Sequence, residues 1–212
     1  NNQGKNLSMK ITLAKTAGFC FGVNRAVNTV YDLLKEGKKV CTLGPIIHNP
    51  QLVEELEQKG VRIVNSPSEV NSGETLVIRS HGVEQTVIDD CENKEVCYVD
   101  ATCPFVSKIH KIVAQKSKGG YVTIIAGDKN HQEVKGIVGH TFGEVYVVAN
   151  EEELQNLLKF KENFCSKKVI MVSQTTFNAE IWEKLQLFLK KVCTNAEIFD
   201  TTIINYDTVL KM

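Results

Sequence analysis

The stretch Tyr121-Val122-Thr123-Ile124-Ile125-Ala126-Gly127-Asp128-Lys129-Asn130-His131-Gln132-Glu133 sets the pattern of the chain. Its β-branched run, Tyr121–Ile125, reads as a strand, because such side chains suit a pleated, buried surface. The polar turn after it carries a histidine and a glutamate. Upstream, Val106, Ile109, Ile112 and Val113 recur at helical spacing. Helix, strand, polar turn is then the repeating phrase. Further strands are expected at Ile11–Ala14, Lys39–Leu43, Val61–Val64, Thr75–Arg79, Val96–Val99, Val145–Val148, Lys168–Val172 and Glu197–Phe199. Val23, Ala26, Val27, Val30 and Leu34 form one more helical face, and Ile181, Leu185, Phe188 and Leu189 another. This alternation predicts an α/β protein with parallel sheets flanked by helices. Gly37, Gly60 and the Gly119-Gly120 pair each follow a helical run, where glycine closes the helix.

The chain has 212 residues, 42% of them hydrophobic and 24% charged, an ordinary globular composition. Lysine plus arginine equals aspartate plus glutamate, so the formal net charge is zero. A nucleic-acid footprint needs a basic stripe, and an anionic membrane surface attracts the same; neither partner is expected. No run reaches the ~20 apolar residues of a spanning helix, and no charged-then-apolar leader is seen, so a cytoplasmic protein is expected. Residues 1–8 read as a polar, flexible extension. A first α/β unit is expected over 9–100, a second over 101–200, and a tail over 201–212. The seven cysteines are scattered without the compact spacing of a disulfide scaffold, and all are expected to be reduced.

The reactive side chains fall at strand ends. Cys20 lies in Gly18-Phe19-Cys20-Phe21-Gly22-Val23, after the first expected strand, and His48 follows the second in Ile47-His48-Asn49. His81 closes the fourth in Ser80-His81-Gly82-Val83, and Cys103 follows the fifth in Asp100-Ala101-Thr102-Cys103-Pro104. His131-Gln132-Glu133 follows the sixth, and Ser173-Gln174-Thr175-Thr176 closes the eighth. Open α/β sheets bind ligands outside the carboxyl ends of their strands, so these groups are candidates for one shared site. Two thiols with imidazoles suggest zinc, but neither a Cys-x-x-Cys nor a His-x-x-x-His pair is present. An iron–sulfur cluster tolerates wide separation of its ligands, and three cysteines would leave one iron open as a Lewis acid. The histidines can donate hydrogen bonds to an anion, and Ser173, Thr175 and Thr176 add hydroxyl donors. This set suits a diphosphate held without lysine or magnesium. Glu133 can be a proton donor if burial raises its pKa. Cys41 reads as core, and His110 and His140 read as structural.

These motifs, in this order, resemble the 4-hydroxy-3-methylbut-2-enyl diphosphate reductase (IspH/LytB) family over roughly residues 9 to 200. The resemblance implies a four-iron, four-sulfur ([4Fe–4S]) cluster held by three cysteines, with Cys20 and Cys103 as two of the ligands. It implies diphosphate contacts from His48, His81, His131, Thr175 and Thr176, and catalytic roles for Glu133 and His131, with Glu133 as the proton source. The allylic diphosphate substrate would be reductively dehydroxylated to isopentenyl and dimethylallyl diphosphate. A ferredoxin- or flavodoxin-like donor would supply the electrons singly. The family fold is a trefoil of three α/β units, of which this sequence reads as two. Its third cysteine aligns with Ile203, in Asp200-Thr201-Thr202-Ile203, and Cys193 is the nearest substitute. The alternative expectation is a diphosphate-binding remnant without a stable cluster.

Overall fold

A computed structural model of the chain describes residues 18–161 and 163–203. The expected strand Ile11–Ala14, the extension 1–8 and the tail beyond residue 203 lie outside them. The described strands form two four-stranded sheets, both wholly parallel. The first contains β1 (Lys39–Leu43), β2 (Arg62–Val64), β3 (Glu74–Ile78) and β4 (Tyr98–Asp100), in the order β2-β1-β3-β4. The second contains β5 (Val122–Ala126), β6 (Val145–Val148), β7 (Val169–Ser173) and β8 (Glu197–Ile198), in the order β6-β5-β7-β8. The same wiring thus occurs twice. In each sheet the order reverses between the two central strands, β1 and β3 or β5 and β7. At such a switch point the flanking loops part and open a crevice at the strands' carboxyl ends.

Helices α1 (Phe21–Lys35), α2 (Pro50–Gln58) and α3 (Gln85–Asn93) accompany the first sheet. Helices α4 (Pro104–Lys118), α5 (Gln132–Gly139), α6 (Glu151–Phe160) and α7 (Ala179–Val192) accompany the second. Strands β3, β5 and β7 are buried at every position, as expected for strands covered on both faces. Ala26, Val27, Val30 and Leu33 form the inner face of α1, with Val23 and Leu34 at its margin. Trp182, Leu185 and Leu189 of α7 pack with Ile124 and Met171. Burying each such large side chain is worth about 1.5–3 kcal/mol. Gly37 and Gly60 close α1 and α2 with φ +74° and +91°, as read from the sequence.

Several strands are shifted from their expected spans by a residue or two. Val96 is outside β4 because its amide closes α3 on the Cys91 carbonyl, so pairing with β3 begins with Cys97 and Tyr98. One expectation is overturned: Cys165 and Cys193 are joined as a disulfide, with Cα atoms 4.8 Å apart, so the seven cysteines are not all free thiols. The two residues are 28 apart in sequence, and only folding of the loop after α6 against the end of α7 brings them together. Cys193 is therefore spent, and at 1% exposure lies in the second sheet's core, so it is no substitute ligand. Cys41 is buried core as expected. His110 and His140 stack with ring centroids 4.0 Å apart.

Candidate functional site

Three of the strand-end histidines converge. His48 follows β1, His81 follows β3 and His131 follows β5, so they flank both switch points. The His48 and His81 ring centroids lie 5.5 Å apart, and His81 and His131 lie 5.6 Å apart, edge to face. Local sequence fixes each ring's root. Asn49 caps α2 by accepting from the Leu52 amide at 3.0 Å, and Pro50 starts the helix, which leaves His48 just ahead of its first turn. His131 is itself the cap of α5: its Nδ1 accepts the Glu133 amide at 3.2 Å. An accepting Nδ1 leaves the proton of the neutral ring on Nε2, which becomes a donor. Gly82, with φ +72°, turns the chain away after His81; a Cβ there would meet Cε1 of His110 at 2.7 Å.

Burial sets the charge state of two of these rings, His81 and His131. It lowers the His81 pKa to about 4, with the neighbouring His131, Arg79 and His48 lowering it further. His131 is lowered too, chiefly by burial, although Asp128 opposes the shift. Near pH 7 both rings are neutral donors. The buried Nδ1 of His81 has no partner among the described residues, a cost that a bound polar ligand would relieve.

Glu133 lies behind the histidines, 2% exposed. Its Oε1 accepts the Thr175 amide at 2.6 Å and its Oε2 the Thr175 hydroxyl at 2.7 Å. These bonds pull its pKa down, but burial outweighs them and raises it. Thr176 is exposed, and its hydroxyl accepts from Gln174 at 2.9 Å. Ser173 differs from its expected part: it is fully buried, and its hydroxyl pairs with that of Thr201 at 3.0 Å, so it is no donor to a ligand.

The two thiols occupy matching places. Cys20 is the residue before α1 and Cys103 the residue before α4, and neither side chain is used as a helix cap. The start of α1 packs tightly against the Cys103 loop. A Cβ on Gly22 of α1 would lie 2.7 Å from Cys103 Sγ, so the glycine of Phe21-Gly22 is a packing requirement. Arg25 of α1 donates to the Thr102 carbonyl at 2.8 Å and ties the same loop down. The Cys103 amide donates to the Ser80 carbonyl at 2.9 Å, which joins the thiol loop to the His81 loop.

A three-thiolate cluster needs one more ligand than this arrangement gives. Among the described residues Cys41 and Cys91 are buried in the first sheet's core, and Cys97 lies just before β4. Ile203 stands where the third thiol is expected, 42% exposed. No group of three or more His, Cys, Asp or Glu residues among those described is arranged to hold a metal ion. The cysteines present thus fit two ligand positions and not a complete set.

Sequence reasoning passed over three residues. Arg79 donates to Gln132 at 2.8 Å, and Gln174 accepts the Asp128 amide at 3.2 Å. All three stand inside or beside the quoted motifs, and that adjacency is the signal that could have drawn attention to them.

Fold and site together define a parallel α/β protein whose strand ends gather three imidazoles, with a buried carboxyl beside them. The chain belongs to the LytB protein family, whose model matches residues 11–208. It is 42% identical over 197 residues to the 4-hydroxy-3-methylbut-2-enyl diphosphate reductase of Caldanaerobacter subterraneus subsp. tengcongensis, covering 91% of this chain and 66% of that protein. It is 44% identical over 172 residues to the same-named protein of Geotalea uraniireducens, covering 81% of this chain and 58% of the relative. A solved structure of (E)-4-hydroxy-3-methyl-but-2-enyl diphosphate reductase, the terminal enzyme of the non-mevalonate pathway, superposes with a TM-score of 0.77 at 38% identity over 91% of this chain and 67% of that one. The Plasmodium falciparum E-1-hydroxy-2-methyl-but-2-enyl-4-diphosphate reductase gives a TM-score of 0.81 at 30% identity, over 92% and 60%. The chain thus spans about two thirds or less of the length of these relatives.

Proposed function

We propose that this chain binds an allylic diphosphate and contributes to its reductive dehydroxylation, the conversion of 4-hydroxy-3-methylbut-2-enyl diphosphate to isopentenyl and dimethylallyl diphosphate. The observation that carries the reading is the convergence of His48, His81 and His131, two of them held neutral by burial. Neutral imidazoles donate through N–H groups, and a diphosphate offers several acceptors. With Glu133 protonated, the Thr175 hydroxyl can accept from it and donate to the diphosphate in turn, which extends the same donor set. Glu133 is the proton store: burial favours its protonated form, and the Thr175 hydroxyl at 2.7 Å gives it a route to the site. Cys20 and Cys103 would hold two positions of an iron–sulfur cluster, which would relay electrons and polarise the substrate hydroxyl. With isoleucine at position 203, the described cysteines do not complete the cluster's ligand set. The electrons would come from a ferredoxin- or flavodoxin-like donor in the cytoplasm. Among the described residues no helix is long and apolar enough to cross a membrane.

Calorimetric titration with inorganic diphosphate tests the binding half. Binding that His81→Ala weakens at least tenfold supports it, and no heat from the unaltered chain sinks it. Ile203 favours a second reading, in which the chain binds the diphosphate without holding a stable cluster. Anaerobic reconstitution separates the two: a brown chain that keeps iron and sulfide on desalting supports the reductase, and a colourless one the second reading.

A further inference from the structure

Arg79 leaves the end of β3 two residues before His81 and reaches across to the other sheet. Its Nη2 donates to Gln132 Oε1 at 2.8 Å, and Gln132 is the residue between His131 and Glu133. Its Nη1 fills the space over Gly44, where a Cβ would come within 2.6 Å, in the loop that leads from β1 to His48. One side chain thus touches the roots of the His48 and His131 loops and belongs to the third. Its Nε is buried without a partner, and Arg79 takes part in none of the ion pairs among the described residues. Glu84 and Lys135, of opposite charge, line the adjoining cavity of about 390 Å³, and Glu84 forms no ion pair with Arg79 among the described residues. A half-buried cation without a carboxylate partner is costly, and a fold retains one where an anion compensates it. Its charge is felt at His81 and His131, where it lowers both pKa values.

We infer that Arg79 is a positioning residue for the diphosphate site: through Gln132 it ties the His131 loop to the end of β3, and it supplies the fixed positive charge that neutral histidines lack. This rests on the diphosphate-binding reading above. A guanidinium suits both tasks, because its planar fork can donate in one direction while its charge acts in another.

The test compares Arg79→Met, Arg79→Lys, Gln132→Met and His81→Ala with the unaltered chain. Affinity for inorganic diphosphate is read by calorimetry, and amide exchange over residues 128–133 by mass spectrometry. Arg79→Met is expected to weaken binding about 10- to 100-fold, the loss of one charged hydrogen-bonding group. Arg79→Lys keeps the charge and is expected to recover part of that loss, which a merely structural role would not produce. Gln132→Met is expected to speed exchange over 128–133 with a smaller loss of affinity. If Arg79→Met binds within twofold of the unaltered chain while His81→Ala is weakened, the inference is wrong and the diphosphate reading stands. If the unaltered chain does not bind diphosphate, the reading fails and the inference with it. Should Arg79→Met not fold, Gln132→Met decides: unchanged affinity and unchanged exchange overturn the inference.

Discussion

Cys103 and Ile203 occupy equivalent places in the two halves of the fold. Before Cys103, Asp100 accepts the Thr102 amide at 2.9 Å and also the Thr102 hydroxyl. Before Ile203, Asp200 accepts the Thr202 amide at 3.2 Å and the Thr202 hydroxyl at 2.5 Å. The Cys103 amide then donates to Ser80, just beyond β3, and the Ile203 amide to Thr175, just beyond β7, each at 2.9 Å. Turn and anchor are duplicated, with isoleucine at the place of the cysteine.

Ile203→Cys should therefore put a third thiol in the same relation to the second sheet as Cys103 has to the first. After anaerobic reconstitution the variant is expected to retain more iron and sulfide than the unaltered chain, with visible absorbance to match. Cys103→Ser in the same background should abolish the gain, since three convergent thiolates are needed. Equal iron in Ile203→Cys and the unaltered chain would refute the equivalence as a ligand position.

Gly22→Ala tests how tightly the two thiol-bearing helices are packed. The added methyl would meet Cys103 Sγ at 2.7 Å and Cys103 Cβ at 2.9 Å, closer than carbon tolerates. Overpacking of this kind costs about 1–3 kcal/mol, read as a lower urea midpoint. Removing the sulfur in Gly22→Ala/Cys103→Ala should return part of the loss, so the double variant should be more stable than the sum of the singles predicts. Strict additivity would mean that α1 moves away instead.

The sheets and the histidine cluster are legible in the sequence for one physical reason. A parallel strand covered on both faces must be an apolar run, and a ligating residue just past such a run has to emerge at its carboxyl end. His48, His81 and His131 satisfy that rule, whereas Cys103 follows the partly exposed edge strand β4. Arg79 and Gln132 escape the rule, because their hydrogen bond spans two sheets and depends on how the sheets face each other, which no periodicity encodes. Ser173 misleads for a related reason: it shares the polar strand end with Thr175, yet Thr201 arrives from a later segment and takes its hydroxyl. The Cys165–Cys193 bond is hidden likewise, since neither cysteine's flanks mark the partner.

Glu133→Gln should fold nearly as well as the unaltered chain, within ~1 kcal/mol, because glutamine mimics a protonated glutamate toward the Thr175 amide and hydroxyl. The pH dependence gives the sharper check. Burial raises the Glu133 pKa above its ordinary value of 4.5, so its contribution to stability is full below about 4.5 and is lost as pH rises through the folded value. Urea unfolding should then show Glu133→Gln gaining on the unaltered chain between pH 5 and pH 7.5. A gap that narrows or reverses would mean that the Thr175 bonds hold Glu133 ionised, which would remove it as a proton store.

Acid should destabilise the fold through its buried imidazoles. Burial lowers His110 to about 3, with the stacked His140 lowering it further, and lowers His81 to about 4. His140, itself lowered by burial, donates to the Val83 carbonyl at 3.1 Å, so the stack is built for neutral rings. Each of these groups binds a proton more readily when unfolded. The contribution is therefore full above the unfolded value of about 6.5 and falls as pH drops towards the folded one, by on the order of 2 kcal/mol for each of His110 and His81 between pH 7.5 and pH 4.5. Urea unfolding across that range should show the loss, and His110→Gln should flatten the slope while leaving the His81 share. Saturating inorganic diphosphate should oppose the His81 share alone, because an anion beside that ring favours its protonated form. If diphosphate instead restores the His110 share, it binds at the His110–His140 stack and the histidine cluster is not its site.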